Sequence, residues 1–137
     1  MQIPYRIKRI QTLQFAFSAD KYNSTIKTEC SVEVVFAYSV NLDEIRCTMT
    51  FGYLQQEVSL LTAEIQGSFE IAKDGAEKLK KAREIPVDFL QYMASIVTGT
   101  ARGIIHAKTE GTVLNAIVLP PINLTEYIKE PLQIEVE

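Results

Sequence analysis

The sequence predicts an α+β domain: a four-stranded antiparallel sheet followed by one long helix and a short helix after it. Three observations predict it. Apolar and polar residues alternate through residues 3–71. Apolar residues then recur at three- and four-residue spacings over 85–108, and Pro120-Pro121 separates that stretch from a short amphipathic one. A period of two belongs to strands with one buried face, and a period of 3.6 to a helix with one apolar stripe.

In the first strand Ile3, Tyr5, Ile7, Leu13, Phe15 and Phe17 hold odd positions, and Ile10 breaks the rhythm, which predicts a bulge. In the second, Cys30, Val32, Val34, Phe36, Tyr38 and Val40 point one way and Ser31, Glu33, Ala37 and Ser39 the other. Asn41-Leu42-Asp43-Glu44 supplies a turn, after which Ile45, Cys47, Met49, Phe51 and Tyr53 form the third strand. Pairing centred on that turn sets Val40 against Ile45, Phe36 against Met49 and Val32 against Tyr53, with every apolar side chain on one face. The fourth strand spans about Val58 to Ile71, with Leu61, Ala63, Ile65, Phe69 and Ile71 inward and Glu64, Gln66 and Glu70 outward. The four are expected to follow one another as a meander, polar on one side. Residues 73–84 are charged and read as a connection.

Ile85-Pro86 opens the long helix, which carries Phe89, Leu90, Met93, Ile96, Val97, Ile104 and Ile105 to about Lys108 and should cover the apolar sheet face. Ser95, Gly99 and Gly103 lie four apart on one stripe of it. Each glycine costs the helix about 1 kcal/mol, so a close backbone approach is the natural compensation. Packing on its own sheet and packing on a second subunit both satisfy that requirement. Gly111-Thr112 ends the helix, Val113 to Leu119 reads as extended, and Leu124 to Lys129 as the short amphipathic segment. Residues 1–137 make one domain, without repeats.

A chain of 137 residues buries about two-thirds of its surface on folding, and 47% hydrophobic with 23% charged residues is ordinary for a globular domain. The net charge is −3, from 14 basic and 17 acidic residues, and the one basic cluster is Lys78, Lys80, Lys81 and Arg83. No basic stripe offers itself to a phosphate backbone, so no nucleic-acid partner is expected. No apolar run of about 18 residues exists for membrane insertion, and Met1 to Ile10 lacks the continuous apolar core of a signal peptide. A cytoplasmic location is expected. Cys30 and Cys47 fall out of register and read as free, semi-buried thiols.

His106 is the only histidine and has no Cys or acidic residue at a ligand spacing, so no metal site is expected. No Walker A, GxGxxG, GxSxG or HExxH pattern occurs, and Gly99-Thr-Ala-Arg-Gly103 lies within a helix without a phosphate-loop lysine. Neither catalytic residues nor a cofactor is expected, and the chain does not read as an enzyme.

Three segments carry a resemblance: Tyr5-Arg-Ile-Lys-Arg-Ile-Gln-Thr-Leu-Gln-Phe-Ala-Phe17, Arg102-Gly-Ile-Ile105 in the long helix, and Val118-Leu-Pro-Pro-Ile-Asn-Leu124 before the last one. With the element order, they make nearly the whole chain similar to the SecB-like protein-export chaperones. The sequence departs from that pattern at Leu124, where the family has an aromatic, and in the longer stretch between Pro86 and Pro120.

The resemblance implies a homotetramer, a dimer of dimers, that holds unfolded or precursor polypeptides in hydrophobic grooves and passes them to the SecA motor. Phe15, Phe17, Phe51, Tyr53, Leu114 and Leu124 are then the client-binding candidates, although inward aromatics on strands serve equally as core. Glu33, Glu64 and Glu70 on the polar sheet face become the candidates for SecA's basic tail, Glu64 being the best match. Ser95, Gly99, Arg102 and Gly103 become the oligomer-interface candidates. A dedicated chaperone of one partner, such as a toxin–antitoxin component, and a small-ligand binding α+β domain remain the alternative readings.

Overall fold

A computed structural model of the chain describes residues 3–135. Its strands are β1 (Tyr5–Phe17), β2 (Glu29–Tyr38), β3 (Glu44–Gln55) and β4 (Val58–Ile71), joined in one antiparallel sheet. Two helices follow, α1 (Lys73–Ala82) and α2 (Val87–Thr109), with the two-residue strand β5 (Glu84–Ile85) between them. A 3-10 turn (Val113–Ala116), the single-turn helix α3 (Leu124–Tyr127) and the short strand β6 (Leu132–Gln133) complete the described chain.

The sheet order is β1-β4-β3-β2, which corrects the four-strand meander. Only β2, β3 and β4 meander; β1 pairs with β4, so β1 and β2 occupy opposite edges. Residues 18–28 must therefore cross the end of the sheet, and the buried side chain of Gln55 organises that crossing. Its Oε1 accepts from the Asn23 N–H at 2.9 Å, and its Nε2 donates to the Asn23 and Ile26 carbonyls at 3.0 Å each.

The β2–β3 register is offset by two residues from a turn centred on 41–44, with Tyr38 opposite Ile45, Phe36 opposite Cys47 and Val32 opposite Phe51. A two-residue slip keeps every paired side chain on its face, so Val32, Val34, Phe36 and Tyr38 stay inward while Val40 leaves the strand. The offset arises because the loop is longer: the Ser39 N–H donates to the Glu44 carbonyl at 3.0 Å, and Val40 sits exposed at the tip. Leu42, at φ 58°, turns its side chain back into the core, where it is 1% exposed.

β1 carries two bulges instead of one, between Ile7 and Arg9 and between Thr12 and Gln14. They bring Tyr5, Ile10 and Phe15 to the inner face and leave Leu13 exposed. Residues 73–84 also differ from the expected plain connection. Ala76 and Leu79 are buried from one side of α1, Gly75 lets that helix approach Ile3, Pro4 and Ile71, and Arg83 in left-handed conformation ends it.

Pro86 sets the N-terminal boundary of α2. Phe89, Leu90, Met93, Ala94, Val97, Ala101 and Ile105 of α2 pack on Ile45, Cys47, Met49, Phe51, Ile65 and Phe69 of the sheet in one core. At Gly67 a Cβ would lie 2.9 Å from a Val97 methyl, so the helix rests directly on the β4 backbone. Among the described residues no helix is long and apolar enough to cross a membrane.

Candidate functional site

Apolar residues not consumed by the core collect along the two sheet edges. At the β1 edge, Ile7 and Phe17 are exposed and Ile10 and Phe15 half-buried, all on the face that carries α2. Phe15 and Phe17 meet edge to face with ring centroids 5.9 Å apart, and Lys108 Nζ of α2 lies 5.4 Å from the Phe15 centroid. Further along, Tyr5 packs edge-on against Tyr92 at 5.5 Å, and Tyr92 is itself exposed.

At the β2 edge, Val32, Val34, Phe36 and Tyr38 face inward and pack against the core but remain half-buried, so α2 and the segment after it cover them incompletely. A cleft of about 400 Å³ remains there, with Val34, Phe36 and Leu90 in contact with it and residues 127–132 forming the opposing wall. Two side chains of α2 hold the segment that follows it, Gln91 at the cleft wall itself and Arg102 upstream of it. The Arg102 guanidinium donates to the carbonyls of Leu119 and Pro120, and Gln91 Nε2 donates to the Ile128 carbonyl at 2.9 Å.

Beyond the side chains, β2 has β3 on one side and no strand on the other among the described residues. Its outer N–H and C=O groups are open to pairing, and an extended chain laid along them would present alternate side chains toward the cleft.

The six candidate client-binding residues do not form one surface. Phe15 and Phe17 sit together on the β1 edge, whereas Leu124 opens α3, whose far end borders the cleft at the β2 edge. Phe51, Tyr53 and Leu114 are each 0% exposed, which places them in the core and corrects their reading as client surface. A centre-strand position explains the first two: β3 is flanked on both sides, so its inward side chains lie beneath α2 and its neighbours.

The acidic candidates do share the polar face but not one cluster. Glu33 and Glu64 flank Thr50 in adjacent strands, and Thr50 Oγ1 lies 3.5 Å from the Glu64 carboxylate. Glu70, six residues along β4 and so about 20 Å away, is held by Arg6 at 2.9 Å. Nearby, Glu44 accepts from Lys8 at 2.9 Å and Arg46 at 2.6 Å, and these partners hold its carboxyl below the usual carboxylate range.

On α2, Ser95, Gly99 and Gly103 face away from the sheet, and a Cβ at either glycine would meet nothing within 4 Å. That excludes packing on the chain's own sheet as the reason for the stripe. Arg102 does not belong with the other three, because its guanidinium is committed to the 119–120 carbonyls.

The thiols differ more than the sequence implied: Cys30 is exposed at the β2 edge, while Cys47 is buried and pushed up to about 12 by burial. No group of three or more His, Cys, Asp or Glu able to hold a metal occurs among the described residues. The residues that sequence reasoning missed are Ile7, Leu90, Tyr92, Tyr127 and Leu132. Leu90 was visible only as helix core; Ile7 owes its exposure to an edge strand, which parity does not encode, Tyr92 and Tyr127 are exposed on helices, and Leu132 is half-buried.

No protein-family model matches the chain, and no curated protein matches it. Among solved structures the fold is similar to the SecB-like chaperone Rv1957 of Mycobacterium tuberculosis, solved in complex with a ChAD peptide from the Rv1956 HigA1 antitoxin. The TM-score is 0.49 at 12% identity, over 86% of this chain and 90% of that one.

Proposed function

We propose that the protein is an ATP-independent holdase that binds unfolded or precursor polypeptides, without a covalent step or a cofactor. The observation that carries this reading is the β2 edge, where a largely apolar cleft lies beside a strand whose outer edge is open. Apolar side chains accept many sequences by burial, and backbone pairing accepts any extended chain, so the combination suits non-native clients. The β1 edge, with Phe15 and Phe17, supplies a second apolar strip.

The resemblance stated for the sequence extends the proposal to protein export from the cytoplasm. In it, the Glu33–Glu64 side of the polar sheet face would receive a basic partner such as SecA's tail. It also extends it to a dimer of dimers. The stripe Ser95, Gly99, Gly103 is our candidate interface, since nothing within the chain occupies the space over its two glycines.

Light scattering of an unrelated, reduced and aggregating protein, with and without this chain, tests the reading alongside the solution mass. Suppression without ATP by an oligomer is expected, weakened several-fold by Phe17→Ser and by Leu124→Ser. Suppression restricted to a single client would replace the general holdase with a dedicated one. A monomer without effect on any unfolded substrate would overturn both.

A further inference from the structure

One wall of the β2-edge cleft is built from a segment that behaves as an extended peptide. After Ile128, which is buried and tied by Gln91, residues 129–131 run along the cleft without regular structure. Leu132-Gln133-Ile134 then lies antiparallel to β5, with Ile85 opposite Leu132 and Glu84 opposite Gln133. Ile134 is buried and Leu132 half-buried, whereas Gln133 points out, the alternation of an amphipathic strand.

The attachment of this segment is slight. The ladder is two residues long; beyond it the Ile134 N–H donates to the Arg83 carbonyl at 3.0 Å, and the Glu135 N–H donates to the Tyr38 hydroxyl at 3.1 Å. Two-residue strands make few cooperative contacts, and such elements open well before the sheet does. Tyr38 belongs to β2, so the segment is fastened to the same edge strand that bears the cleft residues Val34 and Phe36.

From this geometry we infer that residues 132–135 are a displaceable strap: an extended apolar segment of the bound polypeptide exchanges with them and takes their place on β5. Displacement removes Leu132 from the cleft wall and uncovers Ile85, joining the exposed apolar surface of β5 to that of β2. The strap thus competes with clients while the protein is empty, and covers the surface that would otherwise draw copies together. The inference rests on the polypeptide-binding reading above.

A reversible lock tests it. The bond from Ile134 to Arg83 makes Glu84–Gln133 a non-hydrogen-bonded pair, whose Cα atoms lie about 4.5 Å apart, within disulfide span. The protein carrying Glu84→Cys and Gln133→Cys, with Cys30→Ser to remove the exposed thiol, is assayed against reduced, carboxymethylated lactalbumin, which stays unfolded. The oxidised form is expected to bind at least tenfold more weakly than the same protein after dithiothreitol, and a chain ending at Pro131 several-fold more tightly than wild type. In wild type, lactalbumin is expected to raise the hydrogen-exchange rates of the Ile134 and Glu135 amides.

Equal binding by the locked and reduced forms, with no change in those amides, overturns the strap and leaves the holdase standing. Absence of binding by every form, wild type included, overturns the holdase and the strap with it.

Discussion

Cys30 and Tyr53 stand directly opposite each other across β2 and β3, yet the thiol is open to solvent while the phenol hydroxyl is sealed without a hydrogen-bond partner. Burial pushes that phenol up to about 12, with Cys30 adding to the rise and Arg102 opposing it. A buried hydroxyl with no partner has lost its hydration for nothing. Tyr53→Phe should therefore stabilise the fold by about 1 kcal/mol, measured as a shift in the urea midpoint. A loss of that size would mean that the hydroxyl is satisfied in solution.

The two thiols should separate cleanly in labelling. In the native protein a thiol reagent is expected to modify Cys30 alone, with Cys47 reacting only on unfolding, since its side chain lies beneath the sheet's inner face. Desolvation raises the Cys30 pKa as well, so its rate at pH 7.5 should fall below that of an unhindered thiol. Mass spectrometry after limited alkylation reads both, and prompt labelling of Cys47 would contradict this packing.

Glu44, held by Lys8 and Arg46, ties stability to pH. Its folded pKa is depressed, so its contribution is complete above the unfolded value of about 4.3 and is lost as pH falls through the folded one. Both cationic partners are about half exposed, which limits the contribution to about 1 kcal/mol or less. Glu44→Gln should lower stability by that amount at pH 7 and flatten the acid limb below about pH 4, followed by denaturant titrations at several pH values.

Two glycines offer opposite outcomes for one substitution. Gly67→Ala pushes a methyl to 2.9 Å from Val97 and should cost about 1–3 kcal/mol, as overpacking does. Gly99→Ala meets nothing and should raise the stability of the isolated chain by up to about 1 kcal/mol. If the stripe joins subunits as proposed, Gly99→Phe should keep the fold by circular dichroism and halve the solution mass. An unchanged mass would remove the stripe from the interface.

Arg102→Gln cuts the link between α2 and the Leu119 and Pro120 carbonyls. A loss of about 1–3 kcal/mol is expected, together with faster hydrogen exchange in residues 114–128. A purely electrostatic role would instead be rescued by Arg102→Lys, which keeps the charge but not the fork of donors.

Much of the fold was legible because strand parity and helix period are local. Val58 and Ile71 bound β4 as expected, and the inward set of β3 holds. That of β2 holds from Val32 to Tyr38 but not at Val40, which is left outside the strand, or at the exposed Cys30. The order of β1 was not legible by parity, which assigns faces but not neighbours; the signal lay in residues 18–28, too long for a tight hairpin. α1 was missed because Gly75 and its lysines resemble a linker, although Ala76 and Leu79 mark a buried side three residues apart. At the candidate site, the sequence separated inner from outer residues but not centre from edge. Phe51 and Phe17 have the same strand parity, and only the sheet order makes one core and the other surface.

The interruptions at Lys8 and Leu13 divide β1 into regular stretches of three to four residues, Tyr5–Ile7, Arg9–Thr12 and Gln14–Phe17. Fibril-forming stacks grow from uninterrupted segments of about six or seven residues. A strand stacked on the β1 edge would therefore lose its register after three or four residues, so this edge cannot template an extended cross-β layer, whereas β2 keeps one register over all ten of its residues.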